Sequence, residues 1–465
     1  MKPFVFVFAL ISFVCNGQTL TALYPTSGYS GNSFGHQVAL DENGHFFAAT
    51  KNTFFNGQKG RIYRFDITIG NPIQTNFLEV SALTSDDEFA YSFDVNQNFV
   101  VAGAPGMDGA FTNSGSVYVF ENSNSGTLVQ TISAPNPAAE AHFGRNIHLL
   151  GNFLFVSQIS SLSGNSGSVY VYQFNGTTFS FVQQITAPGT PYFGSKIWSH
   201  NNRIYLGCGI FGYNSGDFQS FAAFDWNGTA WVNNSTFGFT NTSGHMIRDI
   251  AFHNNDLLVL TNDFSANYLT TWSHNGTSWN SVNNINLNFG DYIVNSLKVR
   301  GDIMAIGASN YILQVERKFP VRIYQWSNTT WNLSHSLNGQ GADNQDDAFG
   351  INSAMNSQGI GLGAPLENIF GNNDGRAYFI PFSSLGANAF ATPSFTLYPN
   401  PAQDFIQLNP DFHFQKIQLF DLLGKEVTFS IEKGSIPIAH LESGMYILQA
   451  TQENGVISAT KFLKN

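Results

Sequence analysis

The stretch Phe99-Val-Val-Ala-Gly-Ala-Pro105, followed by Gly115-Ser-Val-Tyr-Val-Phe120, decides how this chain folds. The first run is apolar without a break and ends in small residues, the pattern of a strand covered on both faces. The second is aromatic and β-branched and begins after a glycine, so it too reads as a strand. Outward from this pair the same signals return. A Phe-Gly pair, or a degenerate version of it, opens each unit: Phe34-Gly35, Phe89-Ala90, Phe143-Gly144, Phe193-Gly194, then Met246, Asn295 and Phe349-Gly350. Positions 34 and 349 lie 315 apart, and six intervals make the period about 52 or 53 residues. The fifth and sixth openings rest on spacing alone.

Apolar runs ending in small residues recur as Ile204-Tyr-Leu-Gly-Cys208, Ile303-Met-Ala-Ile-Gly-Ala308 and Ile360-Gly-Leu-Gly-Ala-Pro365. Aromatic strands recur as Gly60-Arg-Ile-Tyr-Arg-Phe65, Gly167-Ser-Val-Tyr-Val-Tyr172, Arg322-Ile-Tyr-Gln-Trp326 and Gly375-Arg-Ala-Tyr-Phe379. Several lead into a shared turn: Asn175-Gly-Thr-Thr-Phe179, Asn227-Gly-Thr-Ala-Trp231, Asn275-Gly-Thr-Ser-Trp279 and Asn328-Thr-Thr-Trp331. Asn-Gly there is expected to supply the positive φ angles of a tight hairpin. The closing aromatic starts an outer strand, as in Phe181-Val-Gln-Gln-Ile185. Four strands per unit make one propeller blade, and glycine and alanine suit the crowding near its axis. The seventh unit lacks an outer strand after Phe382. Thr19-Leu-Thr-Ala-Leu-Tyr24 is the segment expected to supply it, joining the ring ends and covering an edge prone to aggregation.

Over residues 19–385 these repeats resemble the FG-GAP family, the propeller repeat of integrin α-subunit heads and many bacterial surface proteins. The resemblance is carried by Phe-Gly, Gly-Ala-Pro and Gly-Ser-Val-Tyr-Val-Phe, best in units two, three and seven and weakest in four to six. Many members carry a calcium loop of alternating Asp or Asn before the Gly-Ala-Pro strand. Here those turns read Asp41-Glu-Asn-Gly44, Asp94-Val-Asn-Gln97 and Asn152, with no acidic series. Calcium takes about six or more oxygen ligands, so no cofactor is expected, calcium included. Asp343, Asp346 and Asp347 before Phe349, like Asp86, Asp87 and Glu88 before Phe89, are expected to be solvated turn residues.

Small residues from Ser383 to Ser394, with Pro393 among them, mark a boundary. Beyond it come Leu397-Tyr-Pro-Asn-Pro401, Ile417-Gln-Leu-Phe-Asp-Leu-Leu-Gly-Lys425, Leu441-Glu-Ser-Gly-Met-Tyr-Ile447 and Lys461-Phe-Leu-Lys464, short strands separated by turns. In order and spacing they are similar to the type A sorting domain of type IX secretion cargo in the Bacteroidetes. The matching positions are Tyr398, Pro399, Asn400, Pro401, Asp421, Gly424, Lys425, Gly444, Tyr446 and Lys461. The resemblance implies export to the periplasm, recognition by the type IX translocon, removal of the domain by its sortase, then release or anchoring to lipopolysaccharide.

At the other end, Met1 and Lys2 precede an apolar run, Phe4 to Val14, of signal-peptide length. Cys15 and Gly17 place small residues before a cut between Gly17 and Gln18. A lipoprotein reading would lipidate Cys15, but Val14 is bulkier than such sites prefer. No other stretch is long enough to span a bilayer as a helix. Cys208 is then the one remaining cysteine, with no disulfide partner, and is expected to be a small buried core residue. The architecture read from the sequence is all-β: signal peptide 1–17, a seven-bladed β-propeller 18–385, a linker 386–394, and a small Ig-like β-sandwich 395–465.

Charge narrows the partners. Charged residues are 11% of the chain, well below the roughly 25% average, and the net charge is −11. The few Lys and Arg are scattered along the sequence, so nucleic acid and anionic membranes are not expected partners. The 11 histidines form no metal-protease motif, and no nucleophile elbow or phosphate loop is present. His36 and His142 recur beside the Phe-Gly pairs and are expected to serve the turn. Trp198, Trp226, Trp231, Trp272, Trp279, Trp326 and Trp331 fall in units four to six, where blade packing is the expected role. Two readings stay open: a monomeric, non-catalytic surface adhesion protein presenting one propeller face to a glycan or protein, and a secreted polysaccharide-active enzyme.

Overall fold

The computed structural model describes residues 20–26, 33–50, 59–68, 72–160, 166–208, 220–241, 245–262, 266–287, 293–309, 320–327, 329–340, 347–368, 374–385, 397–408, 416–421, 426–431, 435–451 and 457–465. Over the repeats the strands form seven sheets, one per unit. Blade one takes Gln37–Leu40, His45–Thr50, Arg61–Asp66 and Ile73–Leu78 in that spatial order. Blades two to six repeat the order over 93–133, 143–191, 197–240, 246–286 and 293–337. Among the described residues, blade four alone adds a fifth strand, Phe239–Thr240. Blade seven has Ser353–Met355, Gly359–Ala364 and Arg376–Pro381, and its fourth place is filled by Thr21–Leu23, with Thr21 opposite Phe379 and Leu23 opposite Ala377. The segment expected to close the ring closes it.

The first strand of each sheet is the inner one, because residues in and next to first strands bond across blade boundaries. Ser92 Oγ donates to Gly144 O at 2.8 Å, and Ser296 Oγ to Gly350 O at 2.7 Å. Asn356 Nδ2 donates to Asp41 O at 2.7 Å, joining blade seven to blade one. Fourth strands face outward, with Ile73 56% and Val282 62% exposed. The run Phe99–Ala104 that opened the sequence reading lies second in its sheet, covered on both faces, with the short Phe93–Val95 inside it.

The motif glycines, separate in sequence, meet at one joint. At five openings the residue before Phe is left-handed: Ser33 (φ 48°), Glu88 (54°), His142 (50°), Tyr192 (53°) and Ala348 (51°). The Phe itself is buried, and the next residue is left-handed again, at 84° for Gly35, 92° for Gly144 and 63° for Ala90. This double reversal carries the chain from one blade's outer strand to the next blade's inner strand, and glycine adopts it without a Cβ penalty. The carbonyls of the turn press on the preceding blade. A Cβ on Gly103 would lie 2.0 Å from Gly144 O, one on Gly307 1.9 Å from Gly350 O, and one on Gly363 1.9 Å from Gly35 O. The glycines before the third strands meet the Phe carbonyl instead, Gly60 at 1.8 Å from Phe89 O and Gly167 at 1.9 Å from Phe193 O.

Glutamines stitch the outer strands. Gln130 Nε2 donates to Phe179 O at 2.9 Å while its Oε1 accepts Phe179 N at 2.8 Å. Gln183 pairs with Trp231 in the same way, at 3.0 and 2.6 Å. The closing aromatics of the shared turns thus serve the blade boundary. Trp231 and Trp331 are buried, Trp231 packs edge-on against Phe153 and Phe155 of blade three, and the other five tryptophans are partly buried.

Two expectations are corrected. In the three Asn-Gly turns the glycine and not the asparagine carries positive φ, Gly176 and Gly228 at 101° and Gly276 at 97°, and in the fourth shared turn Thr329 does so at 64°. The asparagines work through their side chains: Asn175 Oδ1 accepts Thr177 N and Thr178 N, both at 3.0 Å, and Asn227 and Asn275 repeat the arrangement. Cys208 is only partly buried. It sits at the end of its strand against the aromatic cluster between blades three and four, and not within it.

The C-terminal region forms two sheets of its own. Leu397–Tyr398, Phe405–Leu408 and Ser435–Pro437 make one; Glu426–Val427, Lys416–Asp421, Gly444–Thr451 and Ile457–Lys464 make the other. Ala402, Ile406, Leu419, Ile436, Leu448 and Phe462, all at 0% exposure, fill the space between them as a β-sandwich.

Candidate functional site

On the inner strands of blades four to six the structure gathers the charged side chains that the sequence scatters. Their centre is Asp249, on the inner strand Met246–His253 of blade five and 4% exposed. Its Oδ1 accepts Trp198 Nε1 of blade four at 2.7 Å and its neighbour Ile250 N at 3.0 Å. Its Oδ2 accepts Leu297 N of blade six at 2.9 Å and Lys298 Nζ at 3.2 Å. Lys196 Nζ lies 4.0 Å from Oδ1 and donates to Arg248 O at 2.5 Å. One carboxylate thus ties three blades.

Burial alone would raise the Asp249 carboxyl, but Lys298, Lys196, the Leu297 amide and the Trp198 indole outweigh it and hold the group below the usual range. Burial pushes Lys196 down, partly opposed by Asp249. Burial also lowers Arg248. The Arg248 Nε is buried with no hydrogen-bond partner among the described residues, and Nη2 reaches only Met246 Sδ, at 3.8 Å.

Arg248 owes its position to a β-bulge. Ile247 pairs with Thr261 and Asp249 with Leu260, which leaves Arg248 as the extra residue between them. Blade two shows the same seam without the excess charge: Asp94 Oδ2 accepts Leu149 N at 2.8 Å and faces His148 Nδ1 at 3.3 Å. Where the blade-two carboxylate faces one imidazole, the blade-five carboxylate faces two ammonium groups, Lys196 and Lys298. Sequence reasoning missed this group. Its one signal was the fading of the repeat in units four to six.

A cavity of about 380 Å³ that none of these charged residues lines is bounded by Ala187, Phe193, Cys208, Phe221 and Phe239. Burial raises the Cys208 thiol, whose Sγ donates to Leu206 O at 3.6 Å, so it is not an activated nucleophile. Asp87 Oδ2 accepts Thr84 N and Oγ1, a turn role; Asp347 is 2% exposed and so is not the solvated residue expected, and Asp343 and Asp346 lie outside the described residues. His142, half of one double reversal, bonds Pro105 O at 3.1 Å through Nδ1. His36 meets Tyr91 O at 3.2 Å through Nε2.

The C-terminal motif positions converge partly. Tyr398 ends the first strand, and Pro399 and Pro401 are exposed beside it. Asn400 Oδ1 accepts Leu463 N at 2.9 Å and its Nδ2 donates to Lys461 O at 3.2 Å, fastening the motif to the last strand. Asp421 pairs with Tyr446, whose ring stacks on Phe462 at 5.8 Å, and exposed Lys461 stands opposite Ile447. Gly444 pairs with Lys464 at the start of its strand. Gly424, Lys425, Gly17 and Gln18 lie outside the described residues.

Residues 396–465 match the family described as the secretion system C-terminal sorting domain. That tail, of the type IX system, marks the protein as secreted or attached at the cell surface. No helix among the described residues is long and apolar enough to cross a membrane. No curated protein matches the chain. Among solved structures, the Dos1 propeller is similar at 10% identity, over 78% of this chain and 95% of that one, with a TM-score of 0.46. Sqt1 from Saccharomyces cerevisiae is similar at 11% identity over 96% and 99% of the two chains, with a TM-score of 0.43. The propeller domain of the Trilobed protease from Pyrococcus furiosus is similar at 10% identity over 70% and 90%, with a TM-score of 0.42.

Proposed function

We propose that this sorting-tailed propeller is a non-catalytic binding or adhesion protein, delivered by the type IX translocon and processed by its sortase, that presents one propeller face to a glycan or protein. We read its boundaries as a signal peptide 1–17, an FG-GAP-like propeller 18–385, a linker 386–394 and a sorting domain 395–465, and the mature protein as a monomer. The five reversals, four at Phe-Gly and one at Phe89-Ala90, support the FG-GAP reading. The observation that carries the binding reading is the state of Asp249. Four donors occupy its two oxygens, and two ammonium groups hold it ionised. A carboxylate so saturated is neither a general acid nor a free nucleophile; it organises charge.

A glycan array run together with a hydrolysis screen tests this. Retention of a glycan without turnover is the expected result. Release of soluble product from any polymer would overturn the reading.

A further inference from the structure

Lys196 and Lys298 share one carboxylate, which is already spent on blade joining, and Arg248, a neighbouring charge of Lys196, makes no ion pair with it. A half-buried guanidinium with a buried, unsatisfied Nε is a poor ground state, because desolvated charge is stable only when paired and hydrogen-bonded. The bulge that places Arg248 here is a second feature of the same spot. A regular strand would have returned its side chain to the alternating pattern, whereas the extra residue re-aims it. A third is the loss of the Phe-Gly opening at Met246 and Asn295. Consistency with the repeat is given up in blades five and six, which hold Arg248 and Lys298.

The geometry points to an oxyanion site on the inner strands of blades four to six, in which Arg248, flanked by Lys196 and Lys298, takes the carboxylate or sulfate of an acidic sugar. The guanidinium offers the planar fork that a two-oxygen anion matches, and the ammonium groups add point charge. The inference deepens the binding reading above and rests on it.

Binding is measured by calorimetry and thermal shift with three probes at matched ionic strength: inorganic sulfate, galacturonate and neutral methyl galactoside. Sulfate and galacturonate are expected to bind and raise the melting temperature, and methyl galactoside to do neither. Their ratio tells a sulfate-ester ligand from a uronate. Arg248→Gln is expected to weaken anion binding at least tenfold, Lys298→Gln several-fold, and Arg248→Lys by an intermediate amount. Arg61→Gln, at the blade-one rim pair with Glu79, is expected to bind as the wild type does. Anion effects no larger than those of chloride, equal binding of the neutral sugar, or a folded Arg248→Gln protein that binds unchanged would each overturn the site. If Arg248→Gln fails to fold, Arg248→Lys and Lys298→Gln decide the matter by the same criterion. Polymer turnover, by contrast, would sink the non-catalytic reading and leave the anion site standing.

Discussion

Substituting Gly363 by alanine probes the joint that closes the ring. The added Cβ would stand 1.9 Å from Gly35 O, a backbone atom that must retreat toward the 3.4 Å of ordinary contact. The retreat pulls on two bonds of the same turn, Gly35 N to Ala49 O and Phe34 N to Asp374 O, each 2.9 Å. Overpacking of this kind costs about 1–3 kcal/mol, and each strained hydrogen bond adds up to about 1. Alanine restricts the unfolded chain and returns about 0.4–1 kcal/mol. The net expectation is a loss of about 3 kcal/mol. With roughly 2.1 cal/mol/K of unfolding entropy per residue over a ring of roughly 360 residues, the melting temperature falls by about 4 °C. Gly151→Ala is the control: its φ is 57°, nothing lies within 4 Å of the new Cβ, and only the left-handed penalty of about 1–2 kcal/mol applies. Urea denaturation and calorimetry read both. Equal losses in the two variants would refute the claim that carbonyl contact, and not backbone conformation alone, makes glycine necessary at the joint.

Gln183→Ala removes both bonds to the Trp231 backbone and leaves a buried amide group unpaired, so urea denaturation should show a loss of about 1–3 kcal/mol. The bond from Arg203 holds the Asp225 carboxyl below its usual range, with Asn234 adding to it against burial. A carboxyl depressed in the folded state stabilises above its unfolded value and loses that contribution as pH falls through the folded one. The stability gap between wild type and Asp225→Asn should therefore be constant near neutrality and close below about pH 4. A chain ending at residue 395, expressed in its own host, should accumulate in the periplasm; fractionation and immunoblotting would show it, and surface delivery would count against the tail's role.

The parts of the fold that were legible share a cause: each repeats a local backbone demand. Phe34-Gly35 and its relatives stand out because a double left-handed reversal admits few residues, and Gly60, Gly103 and Gly363 because a carbonyl occupies the space of their Cβ. Asn175 was recognised as a turn residue for the wrong reason, since side-chain acceptance and positive φ favour the same amino acid. The charged centre was not legible. Lys196, Asp249 and Lys298 are about fifty residues apart in sequence and meet only once three blades are side by side, and Arg248 sits beside them at an irregularity that no periodic reading detects.

The pairing of Thr21–Leu23 with Ala377–Phe379 also sets a timetable. The earliest strand of the ring to emerge during synthesis must wait for nearly the last, and until they meet the third strand of blade seven has a bare flank. Entropy charges little for the distance, since closure grows only with the logarithm of the intervening length. The delay is one of kinetics. Six blades can assemble while the seventh stays incomplete, and in that interval the open edge is the part of the chain most prone to wrong pairing.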